Sequence, residues 1–299
     1  MQRLKTLYKK YWKQEPTSAT SLAIYNAYCS AVSTAYWLRH LNKLTKTKKS
    51  LSGLATTNEE QKRRVFVFAN GPSLKDIDLA KIRALQTQGN YDIIALNSFL
   101  SKSGEEIKPN YAIFADSIHF DEANKSQKPR DQYLKDIEYC RKNSITTLVP
   151  AEFYENVPLD TKLAFCTIGN IYNKNTYSIC RPVGFYRLTA LYALVLAKQL
   201  NYDRIYIAGF DNSYFKNFEV SKKGECTLKH IHYYDKKDAT TTVTPLANST
   251  AEVFYDIYKH FYFIQKITKD DYRFINVAKE TYISTIPIDH TLDIYKENH

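Results

Sequence analysis

The segment Val65-Phe-Val-Phe-Ala-Asn-Gly-Pro-Ser-Leu-Lys-Asp-Ile-Asp78 reads as an apolar strand, a tight turn and the start of a helix. Ser73 followed three residues later by Asp76 has the spacing of a capping box. The exposed amides of a first helical turn, helped by the helix dipole, suit a phosphate, so Asn70, Gly71, Pro72 and Ser73 are candidate nucleotide-binding residues. The spacing is neither GxGxxG nor that of a Walker loop, which argues against a nicotinamide site or a simple P-loop. An ordinary strand-to-helix turn would need Gly71 and Pro72 too, for geometry alone. Asp76 and Asp78 have the Asp-x-Asp spacing of divalent-ion sites, but their place in a first helical turn reads as helix-start chemistry.

His230 and His232 stand two apart, a spacing that shares a face only in a regular strand, and no third metal ligand lies nearby. One of them is better read as a general base, the alternative being an incidental surface loop. Arg181 comes just before Gly184 and a long helix, so it would reach toward an anionic substrate while the helix start offers amides. Tyr206 and Tyr214 flank Asp211 and would donate phenolic hydrogen bonds to a leaving phosphate. With 25 tyrosines in the chain, it is their position that singles these two out.

The elements that must hold these residues are short apolar runs alternating with helical segments, the pattern of an α/β domain with a largely parallel, Rossmann-like sheet and flanking helices. The runs are Val65 to Ala69, Asp92 to Leu96, Tyr111 to Ala115, Thr146 to Val149, Arg204 to Ala208 and Phe274 to Val277. Helices are expected over Gly184 to Leu200 and Ser249 to Ile267. Ligands of open parallel sheets bind beyond the carboxyl ends of the strands, which here end on Asn70, Asn97, Asp116 and Asp211.

Residues 1 to 15 place Leu4, Leu7, Tyr8, Tyr11 and Trp12 on one helical face and lysines on the rest, a basic amphipathic helix. A second helical stretch is expected over Ser21 to Leu44, and Lys43 to Asn58 reads as a linker. The chain therefore divides into an amino-terminal helical segment and linker over 1–60 and a catalytic domain over 61–299. Residues 1–50 hold ten Lys or Arg against Glu15 alone, so most of the formal net charge of +11 is amino-terminal. That placement suggests contact with an anionic membrane surface, or a helix docked on its own domain, and no nucleic-acid partner is expected.

Hydrophobic residues at 44% and charged residues at 24% are those of a globular chain. Five scattered cysteines without a CxxC pair argue against a disulfide framework and a zinc site, which fits the cytoplasm. The amino terminus lacks the apolar run of a signal peptide, and no stretch is long and apolar enough to span a bilayer. The expected location is therefore cytoplasmic, peripheral at the inner membrane face. Self-association is left open.

Asn70-Gly-Pro-Ser-Leu-Lys-Asp-Ile-Asp78 resembles the Gly-Asn-Gly-Pro-Ser-Leu-Lys opening of bacterial sialyltransferases of glycosyltransferase family 42. Further similar segments follow in the same order: Asn97-Ser-Phe99, Ala112 to Ser117, Arg181 to Gly184, and Arg204 to Asp211. Gly209 to Tyr214 and His232-Tyr-Tyr-Asp235 also resemble motifs of the 6-hydroxymethylpterin diphosphokinase-like, or motility-associated glycosyltransferase, group. The resemblances cover roughly Val65 to Ile286. They imply a glycosyltransferase using a nucleotide-sugar such as a CMP-linked nonulosonic acid or related keto acid, with a surface glycan or glycolipid as acceptor.

By resemblance, Asn70, Gly71, Ser73 and Asn97 would hold the nucleotide, Tyr206 and Tyr214 would approach its phosphate, and His232 would deprotonate the acceptor. No metal or other cofactor is implied. Asp116 replaces an Asn of the pattern, Pro182-Val183 a Thr-Ser, and Tyr233 the Ser after the family's base, which bears on donor identity more than on fold. The rival readings are a Mg²⁺-dependent diphosphokinase of the pterin type and a non-catalytic nucleotide-binding or membrane scaffold.

Overall fold

The computed structural model describes residues 19–55, 63–97, 99–100, 107–116, 119–120, 127–167, 178–182, 188–223, 225–230, 242–246 and 250–296. The basic segment 1–15, Gly184 and His232 lie outside the described residues.

Two helices, α1 (Ala19–Arg39) and α2 (Leu41–Ala55), come first, followed by β1 (Arg64–Phe68), α3 (Leu79–Thr87), β2 (Tyr91–Leu96) and β3 (Tyr111–Ile113). Next are α4 (Gln127–Lys142), β4 (Thr146–Pro150), β5 (Lys162–Phe165), α5 (Thr189–Gln199) and β6 (Arg204–Ala208). The chain ends with β7 (Phe218–Val220), β8 (Cys226–His230), β9 (Thr242–Leu246), α6 (Thr250–Thr268) and β10 (Phe274–Asn276).

Seven strands form one parallel sheet in the order β10-β6-β1-β2-β3-β4-β5, and β7, β8 and β9 form a separate antiparallel meander. The six expected strands all stand in the parallel sheet, which confirms an α/β architecture. From β1 the chain steps outward through β2 to β5, then crosses back to place β6 on the other side of β1. The order therefore reverses between β1 and β6, and a doubly wound sheet opens a ligand crevice at such a switch point.

Alternation along each strand sorts the core into two layers. Val65, Val67, Ile94, Ile205 and Ile207 face α2, α5 and α6, through residues such as Leu44, Leu51, Val195 and Ile264. Phe66, Phe68, Ile93, Tyr206 and Ala208 face α3 and α4 through Ile82, Tyr133, Ile137 and Cys140. Helix α5 is buried from Leu191 to Ala197, as its apolar composition requires.

The expected linker is a correction. Lys43 to Asn58 holds most of α2, which buries Leu44, Thr47 and Leu51, an i, i+3, i+7 stripe, against the edge strand β5. The Thr47 hydroxyl accepts the Ala164 amide at 2.8 Å, so α2 completes the sheet's edge and is no spacer. Helix α1 is fastened as well: the Trp37 indole donates to the Cys180 carbonyl at 3.0 Å, and the Tyr36 hydroxyl donates to Glu152.

The helix start after β1 also differs from expectation. Pro72–Asp76 is a short 3-10 turn without a side-chain cap, and burial of Leu74 and Ile77 pulls the chain inward before α3 begins. Ser73 and Asp76 therefore form no capping box. Asp78 is the cap: its Oδ1 accepts the amides of Ala80 at 2.9 Å and Lys81 at 3.4 Å. Asp78→Ala should lower folding stability by about 1 kcal/mol, read as a lower urea midpoint at unchanged slope. An unchanged midpoint would show that the carbonyl ties of the carboxyl-terminal strap, which bonds the Asp78 amide through Ile294, carry this turn without the cap.

Candidate functional site

The carboxyl ends of β1 and β6 run together in close backbone contact. The Ala69 amide donates to the Ala208 carbonyl and the Gly71 amide to the Gly209 carbonyl, both at 2.9 Å. Gly209 takes φ +69, and a Cβ there would lie 2.6 Å from the Ala69 carbonyl oxygen. A Cβ on Gly71 would intrude on both Asp211 Oδ2 and the Gly209 carbonyl oxygen. Both positions need glycine, because only a bare Cα lets the two loops touch.

Asp211 pins the turn. Its Oδ2 accepts the Ser73 amide at 3.0 Å, and the carboxyl is buried, 7% exposed. Burial raises its pKa above the ordinary carboxylate value, hydrogen bonding by Ser73 pulls it back, and the charges of Asp76 and Glu280 add to the rise.

Across the switch point, Asn70 Nδ2 reaches the Leu96 carbonyl at the end of β2 at 3.5 Å. Asn97, at a left-handed φ of 45°, donates through Nδ2 to the Thr189 hydroxyl at 3.1 Å. Thr189 opens α5, whose amino-terminal cap, Leu188, supplies no side-chain hydrogen bond. Asn97 thus meets the first residue of a buried helix, the end that carries the positive pole of its dipole.

Among the described residues, buried polar atoms at these strand ends find no hydrogen-bond partner: Asn70 Oδ1, Asn97 Oδ1 and Asp211 Oδ1, together with Nδ2 of the adjacent Asn212. The sequence does not single out Thr189 or Asn212. Thr189 can be found only once β2 and α5 are known to meet, whereas Asn212 carries a local signal, a polar residue directly after a strand-end aspartate.

The structure thus brings Asn70, Gly71, Ser73, Asn97 and Asp211 together, with Pro72 opening the 3-10 turn. Asp116 lies exposed beyond the end of β3. Tyr214 begins another 3-10 turn, and its side chain lies outside the described ones.

Two placements are corrections. Tyr206 sits in mid-strand, 6% exposed, its ring stacked on Phe66 at 5.2 Å and close to Tyr91 at the sheet's opposite edge. Alternation turns it into the layer beneath α3 and α4, away from a leaving phosphate. Arg181 is exposed, two residues past Ile179, whose amide bonds Gln199 at the far end of α5 from Thr189. The Ile179 carbonyl accepts the Cys166 amide just past β5, and among the described residues no hydrogen bond or ion pair joins Arg181 to Asn70, Asn97, Thr189 or Asp211.

No protein-family model and no curated protein sequence matches the chain. Among solved structures it is similar to a MAf glycosyltransferase from Magnetospirillum magneticum AMB-1, at 12% identity and a TM-score of 0.47, over 84% of this chain and 39% of that one. The chain thus spans about two fifths of the length of that enzyme. It is also similar to the sialyltransferase CstII from Campylobacter jejuni in complex with a substrate analogue, cytidine-5'-monophosphate, at 14% identity and a TM-score of 0.42, over 80% of this chain and 92% of that one. A complex of CST-II with a trisaccharide acceptor and CMP scores 0.41 at 13% identity, over 79% of this chain and 91% of that one. Fold and site define a doubly wound α/β protein with a polar crevice at its switch point.

Proposed function

We propose that the chain is a glycosyltransferase whose crevice at the ends of β1, β2 and β6 takes a nucleotide-activated sugar. The observation that carries this reading is the set of buried atoms on Asn70, Asn97, Asp211 and Asn212 that have no hydrogen-bond partner among the described residues. Each such atom costs about 1–3 kcal/mol until something satisfies it, so several in one crevice favour a ligand rich in hydrogen-bonding groups. Asn70 keeps its nitrogen on the Leu96 carbonyl and offers its oxygen, which suits a ribose hydroxyl or a base amine. The start of α5, where Leu188 supplies no side-chain cap, suits the phosphate. A nucleoside monophosphate has both kinds of group.

The order of similar segments from Asn70 to Asp235 supports a CMP-linked nonulosonic acid or related keto acid as donor and a surface glycan or glycolipid as acceptor. In this reading His232 takes the acceptor proton, and no metal is required because one phosphate leaves. Asp211 acts through the turn it pins and is a positioning residue. The basic residues 1–15 would hold the enzyme against an anionic membrane.

Thermal shifts against CMP, CDP, UDP, GDP and ATP test the site directly. A nucleotide at about 100 times its Kd should stabilise the fold by about 2.7 kcal/mol. Asn70→Ala should bind the cytidine nucleotide at least roughly tenfold more weakly by calorimetry, a loss of about 1.4 kcal/mol. Equal affinity in both proteins would remove this loop from the site, and a shift with ATP and Mg²⁺ alone would favour the diphosphokinase.

A further inference from the structure

At the edge of the sheet opposite the crevice, where β3 and β4 begin, a cavity of about 810 Å³ opens between the carboxyl ends of α3 and α4. Its volume is in the range of small-molecule sites. Arg83, Lys108 and Lys142 stand in its wall, and no carboxylate does among the described residues. Cations close by in the chain are paired: Arg63 with Asp92, Lys81 with Asp293, and Arg141 with Glu138. No ion pair engages Arg83, Lys108 or Lys142 among the described residues, although Glu138 feels the charge of Lys142.

A cation in the last turn of a helix is ordinary, because it complements the dipole. That accounts for Lys142 and not for the others, since Arg83 lies before the last turn of α3 and Lys108 lies in the approach to β3. The carbonyls at these helix ends are also answered from within. Gln88 and Gly89 amides take the Ala84 and Gln86 carbonyls, and Asn143 gives both its amide and Nδ2 to Tyr139. Three like charges around one cavity raise a positive potential that favours an anion there. Ser144 adds a hydroxyl, and the Tyr139 ring an apolar wall.

We infer that this basal cavity binds a phosphate ester, with Arg83 as the planar fork and Lys108 and Lys142 as point charges. The phosphate is that of a soluble small molecule or of a lipid headgroup. The inference stands apart from the nucleotide reading, because the cavity and the crevice lie at opposite edges of the sheet.

Inorganic pyrophosphate is the probe. Calorimetry on the full chain should show binding that weakens at least tenfold in Arg83→Ala/Lys142→Ala at constant ionic strength, while Asn70→Ala binds as wild type does. All three cations are exposed, so the double variant should stay folded, its urea midpoint lowered only by the loss of Lys142 from the last turn of α4. Sedimentation with phosphatidic acid vesicles, lost in the double variant and competed by pyrophosphate, assigns the phosphate to a lipid. Free protein beside those vesicles, with pyrophosphate still bound in calorimetry, assigns it to a soluble ester. Absence of pyrophosphate binding, equal affinity in wild type and double variant, or loss of binding in Asn70→Ala overturns the inference.

Discussion

Gly71→Ala should lower folding stability by about 3 kcal/mol, the upper end of the usual cost of overpacking. The new methyl group would meet the Gly209 carbonyl oxygen and the Asp211 carboxyl, and neither is the free end of a flexible side chain. Gly209 is held by its own hydrogen bond from the Gly71 amide and Asp211 by the Ser73 amide, so relief on either side breaks a contact that fastens the turn. Gly53→Ala is the internal control. It lies within α2 with nothing within 4 Å of the added atom, so alanine there should stabilise the fold by roughly 0.5–1 kcal/mol. Urea unfolding should show midpoints moving in opposite directions at similar slopes. A wild-type midpoint for Gly71→Ala would mean that the two loops part easily and that the turn is not preorganised.

The same crowding explains why the sheet was legible in the sequence and much of the site was not. Strands buried on both faces read as continuous apolar runs, and the runs at Val65 and Arg204 are adjacent central strands with no polar interruption. β5 is hidden because it is a four-residue edge strand beginning with Lys162. Helix α4 is hidden for a different reason. Its polar composition masks a narrow inward stripe of Tyr133, Ile137 and Cys140, visible only as i, i+4, i+7. Helix α2 reads as a linker because Lys, Thr and Ser surround the few residues that it buries.

Site residues at strand ends, such as Asn70, Asn97 and Asp211, follow from parallel topology alone. Tyr206 does not: distance from Asp211 along the chain says nothing about which face of the strand a ring occupies, and packing with Phe66 and Tyr91 decides it. The Ser73 to Asp76 spacing misleads for a similar reason. A capping box needs a helix that starts there, and the inward turn at Leu74 and Ile77 moves the start to Asp78.

Once an acceptor is known, His232→Ala should lower kcat by roughly 10²- to 10⁴-fold, the usual effect of removing a positioned general base. His230→Ala is the comparison that gives the result meaning. Strand β8 ends at His230, within an antiparallel ladder that pairs His230 with Thr242. The histidine of the ladder is thus a structural end point, and the one beyond it falls where the resembling group has its His-Phe-Tyr-Asp motif.

An acceptor hydroxyl is a poor nucleophile until its proton is taken during attack, so the loss should appear in kcat for transfer. Calorimetric affinity for the cytidine nucleotide should stay close to wild type, because the base meets the acceptor and the crevice of Asn70, Asn97 and Asp211 meets the donor. Transfer at the wild-type rate by His232→Ala would end the assignment. An equal fall in donor affinity would move His232 into the nucleotide site instead. Repeating the assay with EDTA separates the remaining alternatives: a metal-independent transferase keeps its rate, whereas abolition points to the Mg²⁺-dependent diphosphokinase or a metal-using transferase.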